Sequence, residues 1–167
     1  MSNPKIKIVV RDFGEMIAEL YPNKAPRTVA NFLHLVDEGF YSGMIFHRVI
    51  SGFMIQGGGF NESFEQIEAA AIPGEFRANG YANNDIHHAP GVLSMARTND
   101  PNSASSQFFV MHRDAGYLDG QYAGFGQVIE GFDVVEKIAA VPTGRMGWYD
   151  DVPKTPVVID KIEIIEE

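Results

Sequence analysis

Residues 46–60, FHRVISGFMIQGGGF, set a permanent cation, Arg48, and an amide, Gln56, among phenylalanine, methionine, valine and isoleucine. An arginine offers five N–H donors and keeps its charge at any physiological pH, so it donates hydrogen bonds without transferring a proton. Inside a strand and flanked by apolar residues, Arg48 is either an exposed spacer or a cation held over a binding face. A second unusual stretch is residues 90–120, PGVLSMARTNDPNSASSQFFVMHRDAGYLDG. It joins two apolar strands through a polar loop and ends in a glycine-rich turn carrying Tyr117 and Leu118. Phe108 and Phe109 are adjacent in a strand and so face opposite sides. One belongs to the core; the other either lines an apolar pocket with Met, Leu and Tyr or joins ordinary sandwich packing.

Other chemistries find no residues to carry them. No serine sits in a G-x-S-x-G elbow, which argues against a serine hydrolase. His34, His47, His87, His88 and His112 lack metalloprotease spacing, and each reads as structural or exposed. Gly57, Gly58 and Gly59 are followed by neither a G-K-[ST] ending nor G-x-G-x-x-G spacing, so they read as a strand end or bulge rather than a phosphate loop. The acidic residues are scattered, and there is no cysteine for a disulfide, a thiolate nucleophile or a thiolate metal site. No metal and no cofactor is expected.

Short segments rich in valine, isoleucine, phenylalanine and tyrosine recur between glycine-bearing turns, at residues 6–10, 15–20, 46–50, 53–57, 91–96, 107–112, 124–129 and 157–165. Many short strands at such spacing indicate an all-β sandwich or barrel. Two segments have helical period instead. Val29, Phe32, Leu33 and Val36 form one stripe, with Pro26 and Gly39 as start and stop signals. Phe132, Val135, Ile138 and Ala139 form another, introduced by Gly131 and ended before Pro142. Residues 61–90 show little period and are expected to be loop. The single tryptophan, Trp148, falls in a C-terminal loop.

At 167 residues the chain is the size of one domain, residues 1–167. Its 45% hydrophobic and 21% charged residues are those of an ordinary globular protein. The 22 acidic against 13 basic residues, a formal charge of −9, argue against nucleic acid and anionic membranes as partners. No apolar run reaches the roughly 20 residues of a transmembrane helix. The first ten residues lack a signal peptide's apolar region and cleavage site, so a cytoplasmic location is expected. No self-association surface is visible, and monomer is the default.

The whole pattern resembles the cyclophilin family, from GEMIAELYPNKAPRTVANFLHLVDEGFY to the last strand, with FHRVISGFMIQGG and SSQFF as long, ordered signatures. LSMART, the acidic balance and the VPTGR…DVP tail resemble its bacterial cytoplasmic branch. The resemblance implies a mainly β fold: a closed eight-stranded antiparallel β-barrel capped by two α-helices. It implies peptidyl-prolyl cis-trans isomerase (rotamase) activity assisting protein folding, with proline-containing peptides and folding proteins as partners. By motif, Arg48, Gln56 and Phe53 become catalytic. Met54, Ala96, Arg97, Thr98, Gln107, Phe109, Tyr117, Leu118 and Tyr122 become substrate-binding. Better-known members carry tryptophan where this chain has Tyr117 and histidine where it has Tyr122, which implies insensitivity to cyclosporin. Two further readings stand beside this one: a non-catalytic proline-peptide binding module or chaperone, and a lipocalin-like carrier, the latter at odds with bulky interior residues. Phe53 and Gln56 differ by an odd number, so for both to line one groove the backbone must be irregular between residues 50 and 57.

Overall fold

The computed structural model describes residues 3–166. Ten strands and two helices follow one another as β1 (Lys5–Val10), β2 (Gly14–Leu20), α1 (Pro26–Asp37), β3 (Arg48–Ile50), β4 (Met54–Gly57), β5 (Val92–Met95), β6 (Phe108–Met111), β7 (Gly124–Glu130), α2 (Phe132–Ala139), β8 (Thr143–Met146), β9 (Tyr149–Pro153) and β10 (Ile159–Glu166). Eight of the strands form one antiparallel sheet in the order β10-β1-β2-β7-β5-β6-β4-β3, and β8 pairs with β9 in a separate hairpin. Between β4 and β5 the chain is mostly irregular, as the missing period predicts.

The sheet is strongly curled but open, which corrects the expectation of a closed barrel. Its edge strands are β10 and β3. β3 is three residues long, too short to continue the ladder around. The chain just before it bridges the seam: Phe46 N–H donates to Val157 O, Ile159 N–H to Met44 O, and Ile45 and Val158 form an isolated bridge. Register shifts between Ile17 and Ala18 and between Leu93 and Ser94 bend the sheet where β7 joins its neighbours. Trp148, expected in a loop, lies at the β8–β9 tip and is 92% exposed.

Alternation along the strands divides the apolar residues between two clusters. Val49, Ile55, Leu93, Met95, Phe108 and Val110 face inward into the main core with Phe32, Tyr41, Phe46 and Phe125. The Phe32 ring lies 5.1 Å from Tyr41, 5.5 Å from Phe108 and 5.2 Å from Phe125, so the interior is filled. Met54, Val92, Phe109 and Met111 face the other way and build a second cluster with Ala115 and Leu118. On α1 the buried face is Thr28, Val29, Phe32, Leu35 and Val36, and Leu33 is only half-buried. The helix is therefore rotated slightly from the stripe its period suggests. On α2 the buried residues are Val134, Val135, Ile138 and Ala139.

No residue near the start of α1 in sequence caps it; Ala25 stands at its N-cap. The cap arrives from 47 residues away. Glu75 is 4% exposed and accepts the Thr28 N–H and Thr28 hydroxyl, both at 2.7 Å, and the Arg27 N–H at 3.2 Å. A carboxylate there satisfies orphan donors and faces the positive end of the helix dipole. Glu75→Gln is expected to lower unfolding free energy by about 1–2 kcal/mol. An unchanged urea midpoint would show that the cap is not needed.

Candidate active site

The second apolar cluster lies under a surface cleft of about 120 Å³ lined by Arg48, Phe53, Met54, Gln56, Ala96, Arg97, Phe109, Leu118 and Tyr122. That is far below the roughly 300–1,000 Å³ of a typical small-molecule site and suits one side-chain ring. β3, β4 and β6 supply the floor. Arg48 pairs with Gln56 across β3–β4, and Gln56 pairs with Phe109 across β4–β6, so the three share one face. Phe109 is 5% exposed and Phe108 is fully buried on the opposite face, which decides the parity question between them.

The polar edge is a short chain. Exposed Arg48 donates from Nη1 to Gln56 Oε1 at 3.3 Å, and Gln56 Nε2 donates to Gln107 Oε1 at 3.0 Å. Among the described residues Arg48 has no other side-chain hydrogen bond, so most of its donors remain open to a ligand. Gln107 lies against the glycine run. A Cβ at Gly59 would run into its amide, so those glycines permit close packing rather than phosphate binding. Gln107 and Thr98 line an adjacent cleft of about 180 Å³ that shares Gln56, Ala96 and Arg97 with the first.

Phe53 does not belong to a strand. Ile50 and Met54 are paired, leaving Ser51, Gly52 and Phe53 as a three-residue turn with Phe53 N–H donating to Ile50 O. Gly52 has φ +83°, a conformation glycine adopts without strain. The ladder itself is regular; the irregularity expected between residues 50 and 57 is this turn. It frees Phe53 from strand parity, so Phe53 and Gln56 can line one cleft. Opposite Phe53, a 3-10 turn at residues 116–118 carries Leu118, buried, and Tyr117, which is 73% exposed and stacks on Phe53 at 6.2 Å. Tyr117 stands at the rim rather than within the cleft.

Arg97 has a different part from Arg48. Its guanidinium sits between the Phe76 and Tyr122 rings, 4.7 and 4.6 Å from their centroids. It spends its donors on Gln121 O and Thr98 O. It therefore holds Tyr122, which meets Phe109 edge-on at 5.8 Å, in place.

A polar network behind the cleft has no counterpart in the sequence reading. His88 is fully buried, contacts Asp119 and Ser94 through its two ring nitrogens and stacks on Phe109. Burial holds its pKa below the ordinary value despite the Asp119 carboxylate. His87 bridges Asp119 and Asp114, which hold its pKa up. Burial pushes Asp119 up, but hydrogen bonds from His87 and from the His88 backbone and ring outweigh it and leave the carboxyl low. The histidines and the aspartates they meet lie 27–32 positions apart, and no local pattern announces their meeting.

Beside Arg48, His47 is 4% exposed and packs on Phe60 at 4.5 Å, with no hydrogen-bond partner for Nδ1 among the described residues. Burial, and then the charge of Arg48, lower its pKa to about 4. The folded protein thus keeps His47 neutral while the unfolded chain protonates it below about pH 6.5. The stability from neutral His47 is present above that value and is lost as pH falls towards about 4. Between pH 7 and pH 5 the loss should be about 2 kcal/mol. His47→Phe, compared by urea unfolding at both pH values, should flatten that difference; an unaltered slope would assign it to other groups.

The family model for cyclophilin type peptidyl-prolyl cis-trans isomerase/CLD matches residues 5–164. The chain is 44% identical over 161 residues to peptidyl-prolyl cis-trans isomerase B of Escherichia coli, covering 92% of this chain and 95% of that protein. It is 47% identical over 159 residues to a peptidyl-prolyl cis-trans isomerase of Acinetobacter baylyi, covering 92% and 81%. Among solved structures, it resembles a cyclophilin type isomerase of Cryptosporidium parvum at 27% identity and TM-score 0.81, over 99% of both chains. A crystal structure of that protein in the presence of the dipeptide Ala-Pro matches with TM-score 0.80.

Proposed function

The chain belongs to the cyclophilin-type peptidyl-prolyl cis-trans isomerases, and from that premise we propose that Arg48 and Gln56, with Phe53 holding the proline ring against them, form its catalytic site. The protein is an isomerase of Xaa-Pro bonds. Rotation about such a bond breaks amide resonance against a barrier of roughly 18–20 kcal/mol and takes tens to hundreds of seconds unaided. No bond between heavy atoms is made or broken. What the reaction needs is a group that favours the twisted state over both planar isomers.

In the twisted state the imide nitrogen turns pyramidal and regains a lone pair. Arg48 donates to that nitrogen. Met54, Phe109, Leu118 and Phe53 hold the proline ring, while the preceding carbonyl swings. Gln56, Gln107 and the backbone at residues 96–98 take the peptide's oxygens and N–H groups, with Tyr122 and Tyr117 completing the far wall and rim. Arg97 and Thr98 shape the wall towards the adjacent cleft.

One observation carries this reading: a guanidinium that, among the described residues, hydrogen-bonds through its side chain to Gln56 alone stands at the edge of an apolar cleft sized for a single ring. The Ala-Pro dipeptide used with the Cryptosporidium parvum relative is consistent with proline-containing peptides as ligands here. Unfolded or folding proteins are then the natural substrates, acted on by one monomeric domain in the cytoplasm. The test is the cis-trans exchange rate of a short Ala-Pro peptide by NMR. Acceleration at catalytic protein concentration supports isomerisation; saturable binding without acceleration would replace it with a proline-binding module.

A further inference from the structure

The turn that presents Phe53 has little to hold it. Ser51 and Gly52 are exposed and Phe53 is half-buried. Besides the bond from Phe53 N–H to Ile50 O within the turn, its anchors come from the end of β6. His112 N–H donates to Phe53 O at 2.9 Å, with Arg113 N–H more distant at 3.4 Å. The His112 ring then returns to the same turn: Gly52 N–H donates to His112 Nδ1 at 2.9 Å.

That contact dictates the state of the imidazole. A nitrogen that accepts a hydrogen bond cannot carry a hydrogen, so His112 is protonated at Nε2. Nε2–H points at Glu136 Oε1, 3.0 Å away on α2. Arg113 Nη1 also donates to Glu136 Oε1, at 2.6 Å, and holds that carboxyl below its ordinary pKa. Glu136 therefore remains an acceptor and keeps the tautomer. The His112 side chain is only 7% exposed, so the ring has little freedom to turn. A continuous line of hydrogen bonds thus runs from α2 through one imidazole to the rim of the cleft.

We propose that His112 is a positioning residue for isomerisation: its Nε2–H tautomer, fixed by Glu136, accepts the Gly52 N–H and so sets the turn that presents Phe53 to the proline ring. This rests on the assignment of Phe53 to the proline pocket. Phe53 touches the ring in both isomers and in the twisted state alike, so loosening it weakens binding uniformly. The effect belongs on KM, with kcat nearly constant.

Two substitutions separate the halves of the imidazole. In His112→Asn the side-chain oxygen falls where Nδ1 stood and can still accept the Gly52 N–H, while the contact with Glu136 is lost. In His112→Gln the amide can reach Glu136 but places no acceptor at Gly52. KM and kcat for an Ala-Pro peptide, with Gly52 amide exchange by NMR on the full chain, read the result. The expected outcome is a KM raised about two- to tenfold in His112→Gln, with fast Gly52 exchange and little change in kcat, and near wild-type values in His112→Asn. Equal losses in both, the reverse order, or wild-type KM in both would overturn the proposal. Should neither variant fold, the wild-type protein decides: a protected Gly52 amide and an unprotonated Nδ1 by nitrogen chemical shift are required, and either one missing sinks it. Because those two readings are independent of turnover, they stand apart from any failure of the isomerase reading itself.

Discussion

Arg48→Ala should remain folded and lose on the order of a hundred- to a thousandfold of its isomerase rate, the effect of removing one preorganised donor worth about 2.7–4 kcal/mol. The fold is expected to survive because Arg48 is exposed, lies on the short edge strand β3 and, among the described residues, hydrogen-bonds only Gln56 with its side chain. The activity is expected to fail because no other described side chain in the cleft combines a permanent charge with open donors. Arg97, the other cation lining it, is committed to two rings and two carbonyls. Arg48→Lys sharpens the test. It keeps the charge and loses the planar fork, so partial activity would show that charge contributes beyond geometry. Exchange of an Ala-Pro peptide is measured by NMR for each variant, with an amide spectrum to confirm the fold. An Arg48→Ala protein retaining more than about a third of the wild-type rate would remove Arg48 from its role.

Replacing the two adjacent phenylalanines by alanine should give two different failures. Phe108 is fully buried and makes edge contacts with Phe32 at 5.5 Å, Tyr41 at 5.6 Å and Phe46 at 6.0 Å. Removing it opens a cavity at the centre of the main core, at a cost of about 3–5 kcal/mol. Against a total of about 5–15 kcal/mol, that is a large share of the stability. Whatever fraction of Phe108→Ala stays folded should still turn over peptide, since its ring faces away from the cleft. Phe109 lines the cleft instead, between the His88 and Tyr122 rings. Phe109→Ala should unfold at a higher urea concentration than Phe108→Ala, yet lose at least about tenfold in kcat/KM through the missing pocket wall. Urea midpoints and peptide exchange, measured on both, make the comparison. A Phe109→Ala enzyme with wild-type kcat/KM would mean that the proline ring sits elsewhere.

Adjacency in a strand made the opposed directions of Phe108 and Phe109 readable from the sequence. Their assignment was not, because two apolar neighbours in one strand look alike until something packs on each face. The eight strands of the main sheet and both helices were legible for a related reason. Their hydrophobic periods are properties of a few consecutive residues, and glycines and prolines mark where those periods stop. The β8–β9 hairpin, polar and half exposed, was not among the segments read as strands. The likeness to a known family pointed in turn to Arg48, Phe53, Gln56 and Phe109, through FHRVISGFMIQGG and SSQFF.

Contacts between distant segments were beyond such reading. The sheet stays open because β3 is too short to pair with β10, a matter of where residues 44–46 and 157–159 meet. Phe53 reaches the cleft from a turn rather than a strand, and strand parity alone could not place it. The Glu75 cap, the Arg97 sandwich and the His88–Asp119 pair each join residues 21 or more positions apart. The bond from Gly52 to His112 spans 60. Local sequence determines which segments extend, coil or turn, since backbone preference and side-chain alternation act within a few residues. Which polar group finds which partner depends on how those segments pack, and burial then makes each such pairing costly to leave unmade.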